Sequence, residues 1–352
     1  MSLLVPILLF IVVVGPLIAF HEFGHYIVAK LNGVRVLEYN IGFGRPIVQF
    51  QRGETKYGLR VIPLGGYVRL AGMDDGDAGP RSFNAKPVWR RITIIVAGAF
   101  ANLVLPIAIF FVAGVAANHG PVTVQAVTDG SPAQAAGIRP DDRLVSINGK
   151  SVSHIEDLRS VVGSSNGAPV RVGFAHPGGP TMEATIKPVF KNGRWIIGVV
   201  GSGGPLDIPG TAVEAVKLDG AYIVGIPVSL VRLASGQVSG GITGPCGVSG
   251  PIGIARETQQ VASAGVIPLL FLAGVLSVSV GILNLLPVPA LDGGRLLFLV
   301  IEAVRRKPMD PALESRVHYA GFVVLITLIL IITFNDISRL QTPFASLISQ
   351  CQ

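Results

Sequence analysis

The sequence contains few charged side chains. Only 14% of its 352 residues are charged, whereas charged residues make up about 25% of soluble domains. Half of the residues are hydrophobic. This composition excludes an ordinary soluble protein and predicts an integral membrane protein.

Cysteine is also scarce, and the histidines outside one short motif are scattered. Cys246 and Cys351 match no metal-site spacing, so we expect two free thiols, with a disulfide between them as the alternative. We expect a solvated or core role for each of the scattered histidines, which are His119, His154, His176 and His318.

Four long apolar runs are present, at residues 3–31, 92–117, 266–304 and 317–334. Each reaches the ~20 residues that a helix needs to cross the hydrocarbon of a bilayer. No lysine or arginine precedes the first run, which argues against a cleaved secretory leader. We therefore predict four transmembrane helices.

Positive charge is concentrated in two of the connections. Lysines and arginines are frequent between Lys30 and Arg91. A second group lies between the third and fourth runs and consists of Arg305, Arg306, Lys307 and Arg316. Cytoplasmic loops carry such an excess, so we place both connections in the cytoplasm and both termini outside. The net charge of +7 then follows from the topology and does not indicate a nucleic-acid partner.

The pentapeptide His21-Glu22-Phe23-Gly24-His25 lies inside the first apolar run. Histidines four residues apart share one face of a helix, where both imidazoles reach one zinc ion, and Glu22 is close enough to act on an attacking water. A structural role would have to explain ionisable groups in hydrocarbon, where each costs roughly 2.5 kcal/mol or more. The motif therefore predicts a zinc peptidase.

A third zinc ligand is predicted far along the chain. Asp292 follows Pro287 and Pro289 near the inner end of the third run. The prolines interrupt the helix, and a membrane tolerates such backbone only where it is buried in protein or lines a cavity. A lone carboxylate there requires a cation, which is zinc in one interpretation and Arg295 in the other. In the predicted topology Asp292 and His21 reach a similar depth near the cytoplasmic side, as a shared zinc requires.

Together these motifs resemble the site-2 protease family of intramembrane zinc metalloproteases, specifically its bacterial RseP/RasP group. The resemblance spans nearly the whole chain. It rests on HEFGH, on the pattern Asn-x-x-Pro-x-Pro-x-Leu-Asp-Gly at residues 284–293, and on glycine-rich stretches at residues 42–44 and 63–67.

The resemblance assigns roles to particular residues. It implies that His21, His25 and Asp292 are the zinc ligands and that Glu22 is the general base. In the second run the family usually shows Gly-Pro-x-x-Asn, whereas residues 98–102 lack the proline and keep Asn102. By resemblance, Asn102 and Asn284 help to hold the substrate or the reaction oxyanion.

The segment between the first two runs reads as β-hairpins, because apolar and polar residues alternate between glycines over residues 34–70. In the resembling family such a segment dips toward the active site and offers an edge strand to an extended substrate. A simple surface hairpin is the alternative.

The second and third runs are separated by a soluble segment. Residues 131–149 predict a short helix, a turn and a strand that ends in an Asn-Gly turn, and they resemble a PDZ domain. The segment has room for one such domain, which we expect to act as a gate or size filter. Residues 201–265 are rich in glycine, serine and proline, and residues 212–234 fit an amphipathic helix on the membrane better than a fifth span.

The predicted architecture is an α-helical polytopic membrane protein with about four transmembrane helices, a cytoplasmic β-hairpin region and one extracytoplasmic PDZ-like domain. The predicted segments are transmembrane helix 1 (1–32), the cytoplasmic or re-entrant β region (33–91), transmembrane helix 2 (92–118), the PDZ-like domain (119–203), the Gly/Pro-rich and amphipathic segment (204–264), transmembrane helix 3 (265–304) and transmembrane helix 4 (317–335).

The predicted function is that of an intramembrane zinc endopeptidase in a bacterial inner membrane, where it contacts the lipid bilayer. Its substrates would be single-span membrane proteins, and the resemblance implies anti-sigma factors or remnant signal peptides. One alternative is an inactive scaffold or chaperone that binds helices through the PDZ-like domain, which conflicts with the complete set of ligands and base. The other alternative is a metal transporter. It would need polar residues along a path through both leaflets, and the outer halves of the runs contain few.

Overall fold

The computed structural model describes residues 4–73, 79–118, 120–191, 193–204, 207–238, 241 and 247–338. The chain divides into one unit of Met1–Phe110 with Ala215–Gln352 and another of Phe111–Glu214. Three residues with sequence-based predictions, Cys246, Cys351 and His119, lie outside the described residues.

Four helices in the described part of the chain are long and apolar enough to cross a membrane, which confirms the predicted number. They are α1 (Leu4–Leu31), α2 (Val88–Asn118), α7 (Val266–Leu285) and α9 (Pro311–Ser338). Their 18-residue apolar windows have a mean hydropathy of 2.4 to 2.6. A helix forms its backbone hydrogen bonds within one segment, which is why helices are suited to hydrocarbon.

The third predicted span, residues 265–304, is wrong as one continuous helix. The helix α7 ends at Leu285, and a separate helix, α8 (Asp292–Arg305), begins after an irregular connection. Pro287 and Pro289 have no backbone N–H and cannot continue the hydrogen bonds of α7. The prolines were recognised in the sequence as an interruption, but the apolar run beyond them hid the separate helix.

Two glycines hold the start of α8 against the end of α7. A Cβ on Gly293 would lie 2.0 Å from the carbonyl oxygen of Leu286, and a Cβ on Gly294 would lie 2.6 Å from that of Val288. No larger side chain fits at either position without a shift of backbone. The two glycines therefore fix the position of Asp292, which is the first residue of α8.

The helices α1 and α2 approach each other closely at Gly24. A Cβ on this glycine would lie 2.3 Å from the carbonyl oxygen of Ala97 and 3.0 Å from the Cβ of Ala101. Small residues at helix contacts let two backbones approach within a membrane, where the hydrophobic effect does not drive the contact. The glycine inside HEFGH thus has a packing role beside the chemistry of its neighbours.

The segment between α1 and α2 forms two long antiparallel strands, β1 (Val36–Arg52) and β2 (Thr55–Leu70). Both strands bend, so that residues 38–41 pair with residues 66–69 and also with residues 56–59. Gly42 and Gly44, each with a φ of 86°, lie at the bend of β1. The predicted β-hairpin region is thus present, and its association with the membrane stays a prediction.

One end of this sheet is buried and the other is exposed. Val36 and Leu70 pack with Ala29 of α1 and Ile94 of α2 in a hydrophobic cluster. Toward the opposite end, large apolar side chains are exposed, namely Phe43, Ile47, Val48, Val61 and Ile62. The exposed end is suited to lipid or to an apolar peptide more than to water.

The turn between β1 and β2 is tied to the end of α1 by Glu54. Its carboxylate accepts hydrogen bonds from Arg81 (2.9 and 2.7 Å) and from Lys30 (2.9 Å). The hydrogen bonds from Arg81, followed by the one from Lys30, lower the pKa of Glu54 to about 2. Glu54 is therefore ionised at neutral pH, and its ion pairs hold the sheet beside α1.

The unit of residues 111–214 contains a six-stranded antiparallel sheet. Its elements are β3 (Gly120–Val127), α3 (Pro132–Ala135), β4 (Arg143–Ile147), β5 (Lys150–Ser151), α4 (Ile155–Ser164), β6 (Val170–Ala175), β7 (Thr181–Ile186), β8 (Val189–Lys191), β9 (Arg194–Ile196) and β10 (Val199–Gly204). The strand order is β10-β3-β4-β6-β7, with β5 on β4 and a separate β8-β9 hairpin. The predicted short helix and strand are α3 and β4, and positive φ angles at Asn148 and Gly149 form the predicted Asn-Gly turn.

Two further helices precede α7 in the sequence, α5 (Ile208–Ala234) and α6 (Pro251–Ser263). The first agrees with the helix predicted at residues 212–234. The second was missed, because glycine and proline dominate its surroundings. The N-terminus of α6 is capped by a residue that is distant in the sequence. The buried carboxylate of Asp336 accepts a hydrogen bond of 2.8 Å from the N–H of Gly253.

Replacing Gly24 with alanine tests the close approach of α1 and α2. We expect a loss of stability of about 1–3 kcal/mol, because the added methyl group overlaps the carbonyl of Ala97. Thermal unfolding of the purified protein in detergent measures this loss as a lower Tm. Gly15→Ala in the same helix is the matched control, since a Cβ there meets nothing within 4 Å. Equal Tm values for the two variants would contradict the proposed contact.

Candidate metal centre

The two histidines of the HEFGH motif lie one turn apart on α1. His21 and His25 are only 7% and 8% exposed. Their Nε2 atoms are 3.3 Å apart. The 3.6-residue period of the helix thus turns both imidazoles toward one point, as the spacing in the sequence predicts.

Asp292 joins the two histidines from the start of α8. Its Oδ2 lies 3.0 Å from Nε2 of His21 and 3.1 Å from Nε2 of His25. Among the described residues, His21, His25 and Asp292 form a group whose ligand atoms lie close enough together to hold a metal ion. Residues more than 260 positions apart therefore meet at one point, as the sequence predicts.

The separations among these three atoms fit a four-coordinate zinc ion. With Zn–N and Zn–O bonds of about 2.0–2.1 Å, tetrahedral geometry places any two ligand atoms about 3.3 Å apart. The observed separations of 3.0, 3.1 and 3.3 Å are close to this value. Three protein donors also match a catalytic zinc site, which leaves the fourth position for water or substrate.

The ring of His25 is fixed from the second transmembrane helix. Its Nδ1 lies 2.8 Å from the carbonyl oxygen of Ile94. A carbonyl can only accept, so Nδ1 carries the proton and Nε2 presents its lone pair toward His21 and Asp292. Histidine ligands of metals are commonly oriented by such a hydrogen bond on the other ring nitrogen.

Gly98 of α2 provides the space that His25 occupies. A Cβ at this position would lie 2.2 Å from Nε2 of His25. The glycine is the first residue of the stretch 98–102, in which the sequence keeps Asn102 and lacks the proline typical of the resembling family. The helix α2 nevertheless continues through this stretch.

Glu22 lies beside the cluster and against β2. It is half-buried. A Cβ on Gly66 of β2 would lie 2.9 Å from the Cγ of Glu22, so the glycine makes room for this side chain. Gly66 belongs to the glycine-rich stretch 63–67 noted in the sequence, and its place in the structure gives that stretch a physical reason.

Asn102 and Asn284 occupy different environments. Asn102 is fully buried, and neither polar atom of its side chain has a hydrogen-bond partner within the described residues. Its backbone oxygen accepts a hydrogen bond of 2.9 Å from Ser277 of α7. Asn284 donates to the carbonyl of Val280, 3.0 Å away, within its own helix. An unsatisfied buried amide costs about 1–3 kcal/mol, so Asn102 calls for a functional explanation more strongly than Asn284 does.

Sequence reasoning missed the ion pair that ties α8 to α2. Arg91 and Glu302 form a two-pronged pair, and their side chains are 11% and 12% exposed. Glu302 lies within the predicted third apolar run, where a lone carboxylate indicates a partner of opposite charge. The pair holds the helix that carries Asp292 against the helix that carries Ile94 and Gly98.

The apolar helices and the HEFGH motif together assign this chain to the class of membrane-embedded zinc peptidases. The chain belongs to peptidase family M50, which it matches over residues 9–328.

Individual relatives agree with this family. A Clostridium acetobutylicum protein whose name places it among zinc metalloproteases is 33% identical over 333 residues, or 94% of this chain and 97% of that protein. The regulator of sigma-W protease RasP of Bacillus subtilis is 31% identical over an alignment of 421 positions, gaps included, which covers 95% of this chain and 98% of that protein. The PDZ domain of an SdrC-like protein from Listeria innocua is similar over 25% of this chain and 100% of that domain, at 25% identity and a TM-score of 0.22.

The family and the four helices establish the coarse function. The chain is a zinc metalloendopeptidase of the site-2 protease type, its cofactor is Zn2+, and it is a multi-pass inner-membrane protein.

Replacing Gly98 with alanine tests the arrangement around His25. The added methyl group overlaps the imidazole, so we expect His25 to be displaced, the zinc affinity to fall by about 10–100-fold, and the purified protein to lose zinc on dialysis. Metal analysis after dialysis measures the content. Gly225→Ala in α5 is the control, since a Cβ there meets nothing within 4 Å. Full zinc content in Gly98→Ala would contradict the position assigned to His25.

Proposed function

We propose that His21, His25 and Asp292 bind the catalytic zinc ion and that Glu22 is the general base of an intramembrane endopeptidase. One observation carries the proposal, namely the convergence of two Nε2 atoms and one Oδ2 atom at separations of 3.0 to 3.3 Å. A salt bridge alone would need one histidine to be protonated, whereas zinc neutralises the carboxylate and uses both lone pairs.

Zinc, when bound, acts as a Lewis acid that polarises the scissile carbonyl and makes a nearby water more acidic. Glu22 then takes the proton of the attacking water and passes it to the leaving amine. The hydrogen bond from His25 to Ile94 keeps the imidazole in the required tautomer. Asn102, whose buried amide has no partner in the described residues, supplies donors and an acceptor to the substrate backbone, or donors alone to the oxyanion, together with Asn284.

The substrate is proposed to be a single-span membrane protein whose transmembrane segment unwinds before cleavage. Peptidases act on extended chain, and a sheet edge holds an extended peptide by backbone hydrogen bonds. In β2, residues 66–69 lie at the outside of the strand pairing, and Gly66 lies against Glu22. We infer that an extended peptide bound to that edge lies within reach of the base.

The substrate class is proposed from resemblance and from one relative. A protease named as a regulator of sigma-W is similar to nearly the whole chain. Anti-sigma factors are therefore the first substrates to test, and remnant signal peptides are the second. The distribution of lysine and arginine supports a cytoplasmic active site, with the PDZ-like domain and both termini extracytoplasmic. An inactive scaffold is not favoured, because it gives no reason for a complete donor set with a glutamate beside it.

Glu22→Gln tests the roles of base and ligand separately. We expect cleavage of a model transmembrane substrate to fall by about 10²–10⁴-fold, because a positioned proton acceptor is lost. Zinc should remain bound, because Glu22 is not a ligand. Asp292→Ala is the companion variant and should lose zinc as well as activity. Purified protein is assayed for cleavage, with and without a zinc chelator, and for metal content. Loss of zinc in Glu22→Gln would contradict its assignment as the base.

Deleting residues 119–203 and closing the gap with a flexible linker tests the soluble domain as a size filter. As a size filter, a compact tethered domain would exclude a folded substrate ectodomain about 25 Å across and would admit a short stub. We expect the deletion to retain zinc and the cleavage of a pre-trimmed substrate, and to allow cleavage of an untrimmed one. Rates for long and short ectodomains are compared in the intact and deleted enzymes. An unchanged preference would favour a partner-binding role instead.

A further inference from the structure

The connection that delivers Asp292 has little regular structure of its own. It runs from Leu286 to Leu291 between α7 and α8 and contains Pro287 and Pro289. Its internal hydrogen bonds link Val288 to Leu286 and Leu291 to Val288. A connection of this kind needs external contacts if the carboxylate that follows it is to stay within a fraction of an ångström of its place.

The residue two positions before Asp292 adopts an unfavourable backbone conformation. Ala290 has a φ of 77°, in the left-handed region that residues with a Cβ rarely occupy. Such a residue costs of order 1–3 kcal/mol and persists only where surrounding contacts hold it. Its backbone N–H donates to Nδ1 of His318 in α9, at 3.1 Å. His318 therefore accepts the hydrogen bond that keeps the strained residue in place.

A second contact from α9 lies on the same side of that helix. Gly321, three residues after His318, packs on Pro289, where a Cβ would lie 2.3 Å from the proline Cβ and 2.7 Å from its carbonyl oxygen. Residues three apart on a helix share a face. One face of α9 thus contacts both Pro289 and Ala290. The sequence predicted a solvated or core role for His318, and in the structure its side chain is half-buried and accepts the hydrogen bond of Ala290.

We propose that His318 is a positioning residue for the zinc site and acts by holding the backbone of Ala290, so that the carboxylate of Asp292 faces His21 and His25. This inference rests on the proposed function, in which Asp292 is a zinc ligand. In this proposal His318 is not a zinc ligand, because its Nδ1 accepts the hydrogen bond of the Ala290 backbone. Its effect therefore appears first in zinc affinity and then in activity at limiting zinc.

Substitutions at His318 separate the hydrogen bond from the packing of the ring. Asparagine carries its oxygen on Cγ, as histidine carries Nδ1, so His318→Asn keeps an acceptor for Ala290. His318→Leu removes the acceptor, and His318→Gln carries its amide one atom further out, near the position of Nε2. Zinc dissociation constants are measured for the full-length protein in detergent by competition with a chromogenic chelator. We expect affinity about 10–100-fold weaker in the leucine and glutamine variants and close to wild type in the asparagine variant.

The same measurement in the Asp292→Ala background tests the positioning role of His318 separately from the ligand role of Asp292. If His318 acts through Asp292, His318→Leu weakens zinc binding in the wild-type background and adds no further loss to the weak residual affinity that His21 and His25 give in Asp292→Ala. A full additional loss there would overturn the positioning role, as would wild-type affinity in His318→Leu or equal losses in the asparagine and leucine variants. Wild-type affinity in Asp292→Ala would overturn the ligand assignment itself. Thermal unfolding of the zinc-free proteins controls for misfolding.

Discussion

The constraint on which this structure depends is the burial of ionisable groups among apolar helices. Two imidazoles and a carboxylate lie together where water is scarce, and each would be costly alone. In the proposed function a zinc ion removes that cost, because it neutralises the carboxylate and accepts both nitrogen lone pairs. The arrangement of α1, α2 and α8 follows from the need to bring these donors together and to keep them aligned.

Close backbone contacts provide this alignment. Gly24 lets α1 approach α2, Gly98 leaves space for His25, and Gly293 lets α8 begin against the end of α7. In each case an added Cβ would meet backbone or an imidazole at less than 3 Å. Within hydrocarbon, where the hydrophobic effect gives little preference among helix contacts, small residues are what determine the geometry.

The site and the fold were predicted to different degrees from the sequence. His21, Glu22 and His25 are four residues apart at most, so helix geometry alone predicts that both histidines face one way. Asp292 was predicted as a third ligand because an isolated carboxylate among apolar residues and prolines needs a cation. The helix α6 was missed because glycine and proline dominate its surroundings and because its N-terminal cap comes from Asp336, 83 residues further on than Gly253. The helix α8 was missed as a separate element because its residues continue an apolar run.

The sequence by itself determined the membrane class, the number of spans and the identity of the converging donors, because these depend on local composition, local periodicity and the cost of isolated charge. Only the tertiary structure decided that Ile94 fixes the tautomer of His25, that Arg91 pairs with Glu302, and that His318 holds Ala290. Each of these contacts joins residues that are distant in the chain. No spacing rule connects such residues, because their meeting depends on how the helices pack and not on the order in which they occur.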